Sequence, residues 1–470
     1  MRTELTRSPL VKSLLKNRWP QLIIGAVMLV GFLFSIMAGF IGTPVGNHNF
    51  SIVLVWIAWW AILMMVAVPF FGRGWCAVCP IPMPGEWIQR GAILEPPVKK
   101  PRWLNLHWPK KFRNIWLQNL TFTMVALFSI IILTTPKITA IMLLGMLFLA
   151  IGMSLVFERR AFCRYICPVS GFIGLYAQTA PMELRVKNKR VCMTCIGKPC
   201  YNGSSTLHQT SKMVRAEVSG GAPDNTDQHA GYGCPWDVFP GGLTRNSYCG
   251  LCMECLRTCP QDNIAVKLRP FAADLALRSH KMDEAYKALI MLGAAMVYTS
   301  VLLGPWGVLK SAAYSVGTLA WFSFIAAFLA FIFVLLPFLL WLSISLGKIS
   351  SKSNLSTRHL FASFATSLIP LGMIFWISFS LSFVLTNASY ILIALSDPFG
   401  WGWNLFGTAA IAWQPILSSV IIPLQIVVLI GGLLWSVRTA QNVSREINFP
   451  PAPVIAFSTL VTLVMMGLLL

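Results

Sequence analysis

Residues 249–260 read Cys-Gly-Leu-Cys-Met-Glu-Cys-Leu-Arg-Thr-Cys-Pro. The spacing Cys-x2-Cys-x2-Cys-x3-Cys-Pro is typical of [4Fe-4S] sites in which three thiolates ligate one cluster and the fourth ligates a neighbouring cluster. One such run therefore predicts a partner run elsewhere in the chain. The partner begins at Cys192 with the spacing Cys-x2-Cys-x4-Cys, ends at Cys200, and has its own Cys-Pro pair at Cys234 and Pro235.

If the cysteine of each Cys-Pro pair ligates the cluster of the other run, these eight cysteines form two sites of four ligands each. The Cys192 site consists of Cys192, Cys195, Cys200 and Cys259, and the Cys249 site consists of Cys249, Cys252, Cys255 and Cys234. Apolar residues alternate with other residues at 184–187 and 264–269, which predicts a short half-buried strand on each flank. We therefore expect residues 181–275 to form a two-cluster bacterial ferredoxin-like α+β domain.

Paired zinc knuckles are the alternative for this segment, because Cys-x2-Cys also binds zinc. A zinc site, however, requires neither a third cysteine at a fixed short spacing nor a Cys-Pro pair. The cysteine pattern therefore favours two [4Fe-4S] clusters over zinc.

The composition predicts an α-helical polytopic membrane protein, since 56% of the 470 residues are hydrophobic and only 11% are charged. The net charge of +21 does not indicate nucleic-acid binding, because the basic residues cluster at the ends of apolar runs and form no single patch. We interpret the charge as a signal of membrane topology. Apolar runs predict nine spans, at about 21–43, 51–71, 117–134, 138–157, 287–304, 317–346, 361–386, 408–437 and 452–470.

The connections between these spans alternate in charge, and those rich in Lys and Arg are expected in the cytoplasm. This orientation places the cysteine-rich segments on the cytoplasmic side of a bacterial or archaeal cytoplasmic (inner) membrane. Residues 201–233 are interpreted as a flexible loop in which His208 and His229 are solvated. The predicted domains are a cytoplasmic N-terminal segment (1–20), a four-span domain (21–180), the ferredoxin-like domain (181–275) and a five-span domain (276–470).

The first two span pairs end in the same pattern, which indicates an internal duplication. The two copies read Arg73-Gly74-Trp75-Cys76-x2-Cys79-Pro80 and Arg160-Ala161-Phe162-Cys163-x3-Cys167-Pro168. If the two pairs pack around a pseudo-two-fold axis, four thiolates meet at the cytoplasmic surface. We call Cys76, Cys79, Cys163 and Cys167 the doublet site.

Four hypotheses are open for the doublet site. The thiols ligate a third Fe–S cluster, bind a soft metal such as copper transiently, or cycle as redox-active thiols whose pKa is lowered by Arg73 and Arg160. In the fourth hypothesis they are simply small buried residues at helix ends, and the two arginines are ordinary positive-inside anchors.

Over about residues 20–275 the motifs resemble the membrane polyferredoxins that accompany periplasmic nitrate reductase and nitrous oxide reductase (the NapH and NosR type), and the related proteins of copper-site assembly in cytochrome oxidase. The resemblance rests on the two doublets after paired spans and on the ferredoxin run that follows. It implies a respiratory-chain protein that carries electrons between the quinone pool, or a cytoplasmic donor, and a partner enzyme.

The sequence thus predicts an electron-transfer subunit of an oxidoreductase complex, with no catalytic residue assigned. Electrons would pass between a cytoplasmic partner and quinone, or a partner redox subunit, through two [4Fe-4S] clusters. The alternative is a factor that reduces a metal or matures the metal site of a respiratory metalloenzyme. No histidine lies deep in a predicted span, and the span interiors contain no Asp, Glu, Lys or Arg, which argues against membrane haem and ion pumping. The external stretch 390–406 is either a quinone surface or, in the favoured interpretation, an aromatic belt.

Overall fold

The computed structural model describes residues 2–96, 103–204, 231–276, 281–304 and 307–469. The histidines His208, His229 and His280 and the basic residues Lys99, Lys100 and Arg102 lie outside the described residues. The chain divides into two compact units. The first comprises Met1–Val30, Phe70–Arg113 and Gly145–Phe271, and the second comprises Gly31–Pro69, Asn114–Leu144 and Ala272–Leu470.

A three-stranded antiparallel sheet organises the first unit. Its strands are β1 (Thr3–Glu4), β2 (Met182–Val186) and β3 (Ile264–Leu268), in the order β1-β3-β2. The strands β2 and β3 lie where the sequence predicts strands, whereas the N-terminal segment supplies an edge strand that no pattern indicates. The alternation predicted for β3 is incomplete, since Ala265 is as buried as Ile264 and Val266. The central strand is thus covered on both faces.

Short helices connect the cysteine-bearing segments of the first unit. They span Pro9–Lys16, Trp75–Val78, Met83–Arg90, Ala161–Tyr165, Pro168–Tyr176, Lys189–Thr194, Pro199–Asn202 and Glu254–Thr258. Proline begins three of them, at Pro9, Pro168 and Pro199. A proline suits the first position of a helix because an N–H at that position would have no hydrogen-bond partner within the helix. The proline of the second Cys-Pro doublet therefore starts a helix and leaves Cys167 as its N-cap.

The N-terminal segment is fastened to the cysteine-rich part of the first unit by ion pairs. Arg18 donates two hydrogen bonds to Glu254, at 3.2 and 3.1 Å, and Lys12 pairs with Asp262 at 2.6 Å. Arg257 donates to the backbone carbonyls of Lys16 and Asn17. Basic residues that the charge pattern marks only as cytoplasmic thus also make specific contacts.

Eight helices, within the part of the chain that the structure describes, are long and apolar enough to cross a membrane. They are Trp19–Ile41, Phe50–Val78, Pro136–Val156, Met282–Leu302, Leu319–Ser351, Thr357–Asn387, Ser418–Ile447 and Ala452–Leu469. The ninth predicted span, 117–134, is divided into the helices Trp116–Leu127 and Ser129–Thr134. Twelve residues extend only about 18 Å, which is less than the roughly 30 Å of a bilayer core.

Prolines shape the apolar helices. The π-helical stretch Ile62–Phe71 contains Pro69, and the π-helical stretch Phe331–Leu335 ends two residues before Pro337. Because proline lacks an N–H and its ring collides with a preceding carbonyl, a wider helical turn accommodates it. The helix predicted from 408 begins only at Ser418, since a residue before proline, here Gln414, disfavours helical geometry.

One apolar helix of the second unit carries buried charged residues in its first two turns. The helix Met282–Leu302 starts before the predicted boundary and includes Asp283, Glu284 and Lys287, all buried. The Asp283 carboxylate accepts a hydrogen bond from the backbone N–H of Ile115 at 3.0 Å. Its backbone carbonyl accepts one from Asn119 Nδ2 at 3.0 Å. Asp283 therefore fixes the start of the helix Trp116–Leu127.

The remaining helices of the second unit are shorter. They include Gly307–Tyr314 and Ser389–Ser396; Tyr390 lies in the second of these helices, and the other aromatic residues of the stretch 390–406 lie in the loop after Ser396. In that loop Phe399 is buried and stacks on Trp401 at 4.5 Å, while Trp401 and Trp403 are exposed. Asp397 accepts hydrogen bonds from the backbone N–H groups of residues 401 and 402. Asp397 thus closes a turn that presents two indoles outward.

Candidate iron–sulfur sites

The four thiols of the doublet site converge in the first unit. Cys76 lies in the helix Trp75–Val78, and Cys79 directly follows that helix. Cys163 lies in the helix Ala161–Tyr165, and Cys167 is the N-cap of the helix Pro168–Tyr176. Burial raises the pKa of Cys79, and the charges of Cys76 and Cys167 raise it further. Arg160, three residues before Cys163, donates to the carbonyl of Cys76 at 2.6 Å, and Arg73, three residues before Cys76, donates to Ser170, whose N–H donates to Cys167 Sγ at 3.4 Å. The two doublets, far apart in sequence, therefore meet at one place.

Burial dominates the chemistry of these thiols. The pKa of Cys163 is raised first by burial and then by Cys167, and burial raises the pKa of Cys167 to about 11. Arg160 and Arg73 act in the opposite direction but do not outweigh burial. The hypothesis of thiols with a net lowered pKa is therefore wrong: burial raises the pKa values of Cys163 and Cys167 by more than the two arginines lower them.

The two arginines are themselves internal. Arg73 is 3% exposed and Arg160 is 6% exposed. A positive-inside anchor extends toward water or lipid headgroups, whereas these guanidinium groups are packed among the helix ends. Their position points to a role in the site and not only in topology.

Arg160 is neutralised by Glu86, a residue that no motif identifies. Its Nη2 donates to Glu86 Oε2 at 2.8 Å, its Nε also donates to Glu86, and its Nη1 donates to the carbonyl of Cys76 at 2.6 Å. Burial alone would lower the pKa of Arg160, but Glu86 raises it overall. Arg160 and Arg90 correspondingly hold the pKa of Glu86 below its usual value although burial opposes them.

Arg73 donates to uncharged groups instead. Its Nη1 donates to the carbonyl of Ser247, and its Nη2 donates to the carbonyl of Ser170 at 3.2 Å and to the Ser170 hydroxyl. Among the described residues no carboxylate lies within ion-pair distance of Arg73, and its Nε has no hydrogen-bond partner. Burial raises the pKa values of Cys167 and Cys249, and the charge of Arg73 offsets a small part of that rise. One cation thus acts on two cysteine groups.

The Cys192 site brings together cysteines from both runs. Burial raises the pKa of Cys200 to about 12, and Cys259, Cys192 and Cys195 each add to the shift. Asn263 links two of the thiols, since its Nδ2 donates to Cys192 Sγ at 3.1 Å and its backbone N–H donates to Cys259 Sγ at 3.3 Å. Asn263 was not predicted, because nothing in the motif distinguishes it from other residues after Cys-Pro.

The Cys249 site surrounds a small apolar pocket. The lining includes all four of its cysteines, and the members are Leu184, Cys234, Trp236, Val238, Pro240, Leu243, Cys249, Gly250, Cys252, Met253 and Cys255. Burial raises the pKa of Cys249 to about 11 and that of Cys252 to about 12. The pKa of Cys255 is raised by burial and then by Cys249, Cys252 and Cys234.

The backbone beside these cysteines includes three residues in the left-handed conformation. Leu251, Met253 and Lys198 have left-handed φ angles of 49°, 61° and 44°, and such turns collect N–H groups on one concave side, as at many Fe–S sites. Val238 N–H donates to Cys234 Sγ at 3.5 Å. Hydrogen bonds of this type help to set the potential of a cluster. The donors and thiols therefore suit a [4Fe-4S] cluster, which would supply one-electron redox chemistry.

The thiol groups are not arranged around a single ion. Over residues 2–96, 103–204, 231–276, 281–304 and 307–469, no group of three or more His, Cys, Asp or Glu side chains has the geometry of a site for one metal ion. The described residues on the two sides of residues 205–230 pair with each other, because Ser204 bonds to Gly231 and the Cys234 N–H donates to the Tyr201 carbonyl. This closure carries Cys234 back to the cysteine-rich part of the unit.

Trp236 is the largest side chain that sequence reasoning missed at these sites. It follows Cys234-Pro235, is 1% exposed, and lines the pocket of the Cys249 site. A Cβ on Gly250 would lie 2.0 Å from its Nε1, so only glycine allows the indole to rest on the backbone between Cys249 and Cys252. The glycine after a cysteine in the run was the available signal.

Comparison with known families matches part of the chain. A family profile described as a 4Fe-4S binding domain matches residues 52–111 and 139–191. These two segments contain the two doublets, whereas the run from Cys192 to Cys259 lies outside them. Comparison with curated proteins and with solved structures gives no match. The fold and the match together define an iron–sulfur protein with helices long enough to cross a membrane, and a 4Fe-4S binding domain fits a role in electron transfer.

Proposed function

We propose that this protein is a membrane electron-transfer subunit with [4Fe-4S] clusters at the Cys192 site and the Cys249 site. The observation that carries the proposal is the grouping of thiols in space: Cys234, Cys249, Cys252 and Cys255 line one pocket, and Asn263 donates hydrogen bonds to both Cys192 Sγ and Cys259 Sγ. Each group of four includes the cysteine of the other run's Cys-Pro pair, Cys259 in one and Cys234 in the other, as in two-cluster ferredoxins.

A cytoplasmic partner would exchange electrons at the Cys192 site. Beside Cys195, Met193 is 73% exposed and Ile196 is 86% exposed, and Lys189 and Arg190 are exposed on the preceding helix. Small exposed apolar groups within a basic rim suit a transient contact with an acidic redox protein. The other end of the electron path would be the quinone pool or a partner oxidoreductase in or at the membrane.

Anaerobic purification followed by iron and sulfide analysis and low-temperature EPR tests this function. We expect at least about eight iron atoms per chain, four for each cluster. Cys255→Ser should remove the signal of the Cys249 site and leave that of the Cys192 site, and Cys259→Ser should do the reverse. The matched control is Ser247→Cys, which adds a thiol near the sites without adding a cluster. Stoichiometric zinc without sulfide would refute the proposal.

The alternative function, maturation of a metalloenzyme, requires that the doublet site exchange metal. Buried thiols with raised pKa values bind and release a free ion slowly, so the structure favours a resident group. The two functions differ in one result. If Cys76→Ser leaves electron transfer to quinone intact and inactivates a client metalloenzyme, the protein is a maturation factor.

Sidedness is a separate part of the proposal. We place the clusters on the cytoplasmic side because of the charge of the connections. Asn47 and Lys110 are both exposed, and they lie on connections assigned to opposite sides. A membrane-impermeant maleimide should label Asn47→Cys in intact cells and label Lys110→Cys only after the membrane is opened. The opposite pattern would put the clusters outside and replace the cytoplasmic partner with an external one.

A further inference from the structure

The indole of Trp236 lies between the two buried arginines of the duplicated motif. The guanidinium carbon of Arg73 is 4.3 Å from the centre of the indole ring, and that of Arg160 is 5.7 Å from it. The same indole lines the pocket of the Cys249 site. One side chain thus touches the Cys249 site and both arginines that precede the doublets.

The backbone makes a second connection between these regions. The N–H of Arg160 donates to the carbonyl of Pro235 at 2.9 Å, three residues before Cys163 and one residue after Cys234. Arg164, which directly follows Cys163, donates to the carbonyl of Asp237 at 2.6 Å, and Arg159 donates to the carbonyl of Cys234 at 3.3 Å. The hydrogen bond between Arg160 and Pro235 therefore connects Cys163 to Cys234 through only a few residues of backbone on each side.

Charge balance gives an independent reason to connect the two sites. A buried cation without a counter-charge is strongly disfavoured, and among the described residues Arg73 has no carboxylate partner. Its guanidinium donates to the carbonyl of Ser247, two residues before Cys249, and to Ser170, whose backbone N–H donates to Cys167 Sγ at 3.4 Å, so Arg73 contacts the surroundings of both sites. An anionic cluster at each site would supply the missing counter-charge.

We propose that the doublet site and the Cys249 site hold consecutive [4Fe-4S] clusters, coupled through Trp236 between Arg73 and Arg160. This inference rests on the proposed function, since it needs a cluster at the Cys249 site. In the resulting order, the doublet site is followed by the Cys249 site, and the Cys192 site is the outermost centre. One electron passes from a reduced site to the next oxidised site, and no bond is made or broken. The external donor or acceptor is a one-electron carrier that docks beside Cys195.

The arginines and Trp236 are positioning residues in this scheme. Arg73 lowers the energy of the reduced, more negative state of both clusters, because a buried cation is little screened by solvent. Trp236 holds the guanidinium groups in place by cation–π contact and fills the space between the sites. Neither residue is a ligand, so replacing either should leave the number of iron atoms unchanged.

Iron content of the full chain separates this inference from the function on which it rests. We expect about 12 iron atoms per chain, for three clusters of four. A value near eight, with the Cys192 and Cys249 signals intact, would leave the proposed function standing and overturn the inference. A chain without iron and sulfide would refute both.

Cys163→Ser tests the order of the centres. In the fully reduced protein, neighbouring paramagnetic clusters broaden and split each other's EPR signals. Removing the doublet cluster should simplify the signal of the Cys249 site and leave that of the Cys192 site unchanged. A change confined to the Cys192 site would contradict the proposed order.

Arg73→Gln tests the charge by redox titration. The potentials of the doublet site and the Cys249 site should both become more negative, and that of the Cys192 site should stay the same. Arg190→Gln is the control, since it removes an exposed charge on the helix of Cys192 and should move neither of the first two potentials. Equal shifts at all three sites, or none, would overturn the proposal.

Trp236→Phe and Trp236→Leu test the coupling. Phe keeps an aromatic ring and the packing, so it should retain iron and slow electron transfer between the two sites less than Leu does. The measurement is the rate at which the Cys249 cluster is reoxidised by the doublet cluster after rapid mixing with a limiting amount of reductant. A rate unchanged in both variants, at full iron content, would exclude a role for the indole.

Discussion

The doublet site and the Cys192 site both have basic residues near their thiols, but the two sets of cations lie in different places. At the doublet site the cations are Arg73 and Arg160, which are buried among helix ends. At the Cys192 site they are Lys189 and Arg190, which are exposed beside the apolar side chain of Ile196. The same charge therefore acts on the protein interior in one site and on the solvent side in the other.

This difference assigns different tasks to similar residues. A buried charge is hardly screened by salt, so it changes potentials and stability. An exposed charge is screened within about 10 Å at 0.1 M salt, and its main effect is on the encounter with a partner. Substitutions of the buried arginines at the doublet site should therefore change redox potentials and stability. Substitutions of the exposed basic residues near the Cys192 site should change only the rate of reaction with a redox partner.

Glu86→Gln should have the largest effect, because it leaves the Arg160 guanidinium buried without its counter-charge. Removing one partner of a buried ion pair typically costs about 3–5 kcal/mol, and we expect a loss of that size in the free energy of unfolding. Thermal or denaturant unfolding of the purified protein measures it. The control is Glu158→Gln, whose partner His107 is 77% exposed, and which should cost less than about 1 kcal/mol.

The same pair predicts a dependence of stability on pH. Arg160 and Arg90 hold the pKa of Glu86 below its usual value, so the folded protein binds the Glu86 proton less readily than the unfolded chain. The stabilisation is complete above the unfolded pKa of about 4.3 and is lost as the pH falls through the lower folded value. Glu86→Gln should lack this part of the acid transition; an unchanged acid profile would show that other carboxylates cause it.

Gly250→Ala should have an intermediate effect at the boundary between the two sites. The added Cβ would lie 2.0 Å from Trp236 Nε1, so the indole must move. Forcing extra volume into a packed core typically costs about 1–3 kcal/mol. Gly242→Ala is the matched control, since its Cβ would meet Phe239 only at 3.9 Å. We expect broadened EPR signals from the Cys249 site in the first variant alone.

Lys189→Gln and Arg190→Gln should have the smallest effect, and it should depend on salt. With a reduced acidic flavodoxin as donor, the second-order rate of reduction should fall a few-fold at low salt and converge with the wild-type rate at high salt. Stability and iron content should not change. Lys110→Gln, an exposed cation elsewhere in the unit, should leave the rate unaltered. A salt-independent decrease would place these residues inside the electron path.

Several features follow from local sequence patterns. Runs of apolar residues predict the long helices, because crossing a bilayer requires only a sufficient length of apolar chain. Alternation predicts β2 and β3, because neighbouring residues of a strand face opposite sides. The cysteine spacing predicts Fe–S ligation, because three ligands of one cluster come from a single short run and the fourth comes from the Cys-Pro pair of the other run.

Other features were decided by contacts between residues that are distant in sequence. Arg18 meets Glu254 across 236 positions, and Arg73 meets Ser247 across 174. The break at Phe128, the charged start of the helix Met282–Leu302 and the edge strand Thr3–Glu4 likewise have no periodic signal of their own.

Burial explains why the sequence was misleading about the arginines. An Arg before a cysteine at the end of an apolar run predicts a surface anchor that activates a thiol. The sequence by itself determined only that a cation precedes the cysteine. The tertiary structure decided what the cation does, because packing removes water from both the guanidinium and the thiols. Once water is excluded, desolvation outweighs the attraction of Arg160 for Cys163, and the charge of Arg73 extends to a second group of cysteines.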